Sequence, residues 1–107
     1  MLIEINHGHD VELSNEQQNE IRVRIFKALA DPGRLAIIQF LNSEQREIGC
    51  GEIGDSLNIP KTALSYHLKT LRESGLTFTR KEARERFITL NEKTFKYYLP
   101  GFLETLV

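Results

Sequence analysis

Cysteine, proline, methionine and tryptophan are scarce: one, three, one and none in 107 residues. The single cysteine, Cys50, cannot close an internal disulfide, so the default setting is intracellular and cytoplasmic. No apolar run approaches the ~20 residues needed to span a bilayer, so no membrane partner is expected. The N-terminus, MLIEINHGHDVEL, has no basic stretch followed by an apolar one and does not read as a secretory signal. There is no Gly-rich phosphate loop, no nucleophile with a base and no carboxylate pair in a recognisable motif. The expectation is a non-enzyme without a cofactor. Repeats, low-complexity tracts and linkers are also missing, and the length suits one domain.

A cationic excess is lacking too, since the formal net charge is −1. Taken alone, that value disfavours a nucleic-acid partner, but the distribution argues the opposite. Residues 1–60 carry five Lys/Arg against ten Asp/Glu, whereas residues 61–86 carry seven against three, a local net of +4. Phosphate is attracted by a local positive surface, not by the whole-chain sum.

What is present is a strongly periodic chain. After a tail at 1–13, Ser14 with Gln17 three positions later reads as a capping box. Ile21, Ile25, Phe26 and Leu29 follow on an apolar helical face. Asp31-Pro32 restarts a helix, Asp31 as cap and Pro32 at the first helical position. GRLAIIQFL is apolar nearly all round and is expected to be central. A short strand is expected around Ile48 and a short helix over 51–57. Asn58 then stands where a tight turn needs a left-handed residue.

In PKTALSYHLKTLRESGL, Leu64, Leu68 and Leu71 form a narrow inward stripe. Lys61, Thr62, Ser65, Tyr66 and Lys69 lie outside it, and Gly75 can end the helix. LTFTRKEARERFITL reads as two strands around a charged turn at 82–84. Residues 92–106 are expected to form a helix that Pro100 kinks or splits. The fold class is therefore mainly α with a small β-hairpin: a winged helix-turn-helix over 14–107, with helices at both ends suited to dimerisation.

KALADPGRLAIIQFL resembles the ArsR/SmtB-type bacterial repressors, whose pattern reads roughly ALADPTRLRILxLL. EIGDSLNIPKTALSYHLKTLRESGL resembles the same family's helix-turn-helix. The resemblance covers about 26–90. It implies a homodimer built on the first and last helices, which releases double-stranded operator DNA when a signal is sensed. The residues expected at that dimer interface are Ile21, Ile25, Phe95, Leu99, Phe102 and Leu103.

Carried over by motif, Lys61, Thr62, Ser65 and Tyr66 face DNA from the first two turns of the recognition helix, with Lys69 on the same side. The bland alternative is a solvated helix face. Lys81, Arg84 and Arg86 at the hairpin would touch phosphate or the minor groove. Their alternative role is to keep a sheet edge soluble, and Glu82 and Glu85 weaken the patch. Ala83 stands where the family has glycine and suggests a less tight turn. His67, beside the Leu stripe, reads as structural. Arg34 either pairs locally or reaches a phosphate.

Metal-sensing relatives carry a cysteine pair in ELCVCDL. This chain has EIGCGEI, with glycines at 49 and 51 and Cys50 at the spacer. A thiolate site needs several convergent ligands, and the terminal segment has no Asp or His for the family's other site. No metal site is expected, although His7, His9 and Asp10 could grasp a metal adventitiously. Cys50, near a helix N-terminus, could have a lowered pKa and act as a thiol switch; the alternative is an inert thiol. A winged helix that binds only protein is the remaining alternative. No motif identifies the inducer, the operator or the regulated genes.

Overall fold

The computed structural model describes residues 12–107; the tail residues His7, His9 and Asp10 lie outside the described residues. Five helices, three short strands and a terminal 3₁₀ turn follow in chain order. They are α1 (Asn15–Leu29), α2 (Pro32–Glu44), β1 (Ile48–Gly49), α3 (Cys50–Leu57), α4 (Lys61–Glu73), β2 (Thr77–Glu82), β3 (Glu85–Leu90) and α5 (Glu92–Tyr98), then the turn at Leu103–Leu106.

The helix boundaries follow local chemistry. Ser14 and Gln17 form the reciprocal capping box, at 3.1 and 2.9 Å. The Asp31 carboxylate caps α2 by accepting from the Arg34 backbone N–H at 3.0 Å, with Pro32 behind it. Asn58 ends α3 at φ 57. Gly75, at φ 83, ends α4 in a Schellman arrangement: Leu76 N–H reaches Leu71 C=O and Gly75 N–H reaches Arg72 C=O, both at 3.0 Å.

Helix α2 is the hub, as its all-round apolar character predicts. It packs against α1, α3, α4, β3 and the terminal turn. Its Ile37, Ile38 and Leu41 join Ile25, Ile48, Ile53, Leu71, Ile88 and Phe95 in one buried cluster. The strand at Ile48 pairs with β3, so the expected hairpin becomes a three-stranded antiparallel sheet in the order β1-β3-β2.

The structure bears on three expectations. First, Pro100 splits the C-terminal segment, one of the two outcomes expected of it. Leu99, preceding Pro100, takes φ −135 and leaves the helical region, because the proline ring crowds the residue before it. Gly101 then turns at φ 84, and the chain returns to α2, where Asn42 donates to Leu103 C=O and Gln39 to Leu106 C=O, each at 3.1 Å.

Second, Ile25 and Phe95 cannot serve an interface. They are 0% and 2% exposed within one chain, because α1 and α5 turn these side chains onto α2 and the sheet. Ile21, Leu99, Phe102 and Leu103 are half-buried against the same core.

Third, the hairpin turn is tight. Glu82 pairs with Glu85, so only Ala83 and Arg84 lie between the strands, and Ala83 is held at φ 57. A left-handed residue with a Cβ costs roughly 1–2 kcal/mol. Ala83→Gly is therefore expected to stabilise the fold by about 1 kcal/mol, read as a raised midpoint in urea unfolding at unchanged slope. An unchanged or lowered midpoint would contradict a left-handed Ala83.

Candidate nucleic-acid interface

Helices α3 and α4 meet at a turn that brings backbone and side chains close. Ile59 N–H donates to Gly54 C=O at 2.9 Å, and a Cβ on Gly54 would lie 3.3 Å from Leu64 Cδ2. Leu64, Leu68 and Leu71 sink into the core. Their burial turns Lys61, Thr62, Ser65, Tyr66 and Lys69 outward; all five are exposed, Tyr66 at 63%. Pro60, the N-cap, offers no side-chain acceptor, so the first N–H groups of α4 stay uncapped.

The exposed ridge of α4 is flanked on both sides. Between α3, α4 and the hairpin lies an open cleft of about 750 Å³, lined among others by Lys61, Ser65, Lys81, Arg84 and Arg86. On the other side, a cleft of about 700 Å³ opens between α1 and α4.

Lys81, Arg84 and Arg86 are exposed and make no ion pair among the described residues. Arg80, counted in the same basic segment, is used internally. It donates to both Glu47 oxygens at 2.8 and 2.9 Å and to Glu82 at 2.7 Å, and lies over the Phe87 ring at 4.7 Å. Glu82 is thereby drawn toward Arg80 and offsets the tip less than its place in the sequence suggests. The Arg80–Glu47 pair joins residues 33 apart, which no local pattern reveals.

Arg34 pairs locally. Its Nε donates to Ala28 C=O at 2.7 Å, its Nη1 lies 3.2 Å from His67 Nδ1, and its guanidinium lies 5.9 Å from the Tyr66 ring centre. Arginine can only donate, so Nδ1 of His67 is the acceptor. The other ring nitrogen, Nε2, stands 3.8 Å from the Asp31 carboxylate and close against Gly33, where a Cβ would sit only 2.9 Å away. Asp31 titrates below the usual carboxylate range, chiefly because it accepts the Arg34 backbone N–H, with the Arg34 charge adding to it. This cluster ties the α1–α2 corner to the face of α4. His67 is structural, as the sequence suggests; its link to Arg34 was not legible there.

Cys50 is half-buried at the start of α3, beside the hairpin cleft. Burial pushes its thiol up, outweighing the opposing pull of Arg86. Burial thus raises the thiol, the opposite direction to that expected of a helix N-terminus. Gly49 and Gly51 offer no ligand side chain, and the described residues contain no cluster of three His, Cys, Asp or Glu placed to hold a metal.

A helix-turn-helix domain family matches residues 29–77. YceK of Bacillus subtilis (strain 168), an uncharacterised HTH-type transcriptional regulator, is 56% identical over 91 residues, which span 85% of this chain and 91% of that protein. The transcriptional activator HlyU of Vibrio cholerae is 37% identical over 90 residues, 83% of this chain and 82% of its own. A solved structure of HlyU superposes with a TM-score of 0.69 at 35% identity, over 85% of this chain and 92% of that one. A solved ArsR family transcriptional regulator gives a TM-score of 0.68 at 25% identity, over 81% and 87%.

The chain belongs to the ArsR/SmtB-type winged helix-turn-helix regulators. As a member of this family it is a DNA-binding transcriptional regulator, with α3 and α4 as the helix-turn-helix and the β2–β3 hairpin as wing. No helix of the described residues is long and apolar enough to cross a membrane.

In this regulator α4 depends on Arg34 for its seat. Arg34→Ala removes the donor to Ala28 C=O and His67 Nδ1, both part-buried. An expected loss of about 1–3 kcal/mol in unfolding free energy follows from leaving such groups unpaired. Arg34→Lys rescues little, since an ammonium cannot reproduce the planar fork. Wild-type stability in the alanine variant would overturn the seating role.

Proposed function

We propose that this regulator is a homodimeric repressor that inserts α4 into the major groove of a partly palindromic operator and steadies it with phosphate contacts from the wing. The observation that carries the reading is the cleft across which Lys61 and Ser65 face Lys81, Arg84 and Arg86, with Thr62, Tyr66 and Lys69 exposed on the same helix. Cations without internal partners are free to replace the counterions of DNA. The uncapped N–H groups at the start of α4 suit a phosphate as well. Repression follows where the bound site overlaps a promoter. HlyU is named an activator, so activation is the second reading, tested by transcription from such a template with and without the protein.

Base-edge contacts typically carry ~1–3 kcal/mol of discrimination, whereas phosphate contacts add salt-dependent affinity without sequence preference. On duplexes selected from a random pool, Ser65→Ala and Tyr66→Ala are expected to relax the preferred sequence, while Arg84→Ala weakens binding to every sequence. The roles are misassigned if Arg84→Ala shifts the preferred sequence and the helix variants do not. The same titration with stoichiometric zinc is expected to give an unchanged isotherm, because the usual thiolate positions are Gly49 and Gly51. Release by zinc would refute a metal-free response.

Dimerisation is supported by apolar side chains that one chain leaves uncovered. Val23 and Phe26 are 51% and 54% exposed and share one side of α1 at a three-residue spacing, and Tyr97 on α5 is 66% exposed. Ile21, Leu99, Phe102 and Leu103 lie half-buried against the core. Phe26→Glu is expected to give monomers in sedimentation at micromolar concentration and to weaken DNA binding together with dimerisation. A stable wild-type monomer would refute the dimer.

A further inference from the structure

Helix α1 divides its exposed surface. Val23 and Phe26 share one side, and Arg24 and Lys27, also three residues apart, the side adjoining it, Lys27 one turn beyond Val23. That second side is one wall of the α1–α4 cleft, whose lining includes Arg24, Lys27, Arg34, Tyr66, Arg72 and Glu73. Arg24, Lys27 and Arg72 are exposed and form no ion pair among the described residues. Arg34 gives its Nε to Ala28 C=O and its Nη1 to His67, which leaves Nη2 without a hydrogen bond among the described residues. Glu73 is the one acidic side chain in the lining, so the cleft is cationic on balance.

The position of this cleft matters as much as its charge. It lies on the flank of α4 opposite the wing cleft. A helix with its side chains measures about 10–12 Å across, and the major groove is about 12 Å wide. A helix seated in that groove therefore has a sugar–phosphate strand along each flank. The wing, through Lys81, Arg84 and Arg86, accounts for one strand only.

Resting on the docking of α4 described above, we propose that the α1–α4 cleft is a second phosphate-binding surface, in which Arg24 and Lys27 hold the DNA backbone strand opposite the one held by the wing, while Arg72 lines both clefts. Helix α1 thereby serves two partners with two sides, a second copy of this chain through Val23 and Phe26 and DNA phosphate through Arg24 and Lys27. Tyr66, which lines the cleft and tops Arg34, stands at the boundary between base edges and this strand.

The test measures affinity against salt for the full-length protein, on a duplex selected from a random pool and on an unrelated duplex. Each phosphate contact contributes close to one unit to the slope of log affinity on log salt. The double variant Arg24→Gln, Lys27→Gln, which removes four contacts from the dimer, is expected to make the slope shallower by about 4, to weaken both duplexes by the same factor and to remain dimeric in sedimentation. Glu73→Gln is expected to bind both duplexes more tightly. Within each half-site, ethylation interference is expected to be lost on one strand in the α1 double variant and on the other strand in Arg84→Gln. An unchanged slope in the double variant, alongside a shallower one for Arg84→Gln, would overturn the second surface while leaving DNA binding by α4 and the wing intact. Wild-type protein with no salt-dependent binding would overturn both.

Discussion

The direction in which α4 faces rests on the burial of Leu64, Leu68 and Leu71 against α2, α3 and the sheet. Each fully buried leucine is worth roughly 1.5–3 kcal/mol, so rotating α4 by even one position would forfeit more than any surface pairing could return. With that face committed, the polar side chains have no place but outside. The Schellman ending at Gly75 stops α4, and the left-handed Asn58 ends α3 just before it, neither borrowing the exposed face of α4. Side chains for DNA can therefore vary without disturbing the fold.

A second constraint keeps the two flanks of α4 at a set distance from it. On one side the Asp31, Arg34 and His67 cluster ties the α1–α2 corner to the helix, and Arg34 reaches back to Ala28 at the end of α1. On the other, Arg80 straps the wing to Glu47 just before β1. Both straps use cations that a count of charge would assign to DNA. The cations at the wing tip and on α1 are among those that form no ion pair within the described residues. A surface for a polyanion is thus selected by elimination: what the protein pairs with itself is withdrawn from the phosphate.

Much of this was legible from local pattern. The helix starts at Ser14 and Asp31, the apolar hub at Leu35–Leu41, the Leu stripe of α4, the turn at Asn58 and the strand at Ile48 all depend on nearest-neighbour chemistry. Position in a motif said less about burial. Ile25 and Phe95 have the same character as side chains that stay half-exposed, and only the packing of α1 and α5 on α2 shows that they belong to the core.

By itself the sequence determined the order of elements, the face α4 turns outward and the absence of ligands at 49 and 51, because period, caps and residue identity act within a few positions along the chain. Tertiary structure alone decided the partners of charged and titratable groups. Arg80 meets Glu47 and Arg34 meets His67 across 33 residues, burial raises the Cys50 thiol where a helix start would lower it, and Arg24 and Lys27 come to flank α4. The reason is physical: electrostatic partnership and desolvation depend on distance and dielectric in space, and neither is written in the spacing of residues along the chain.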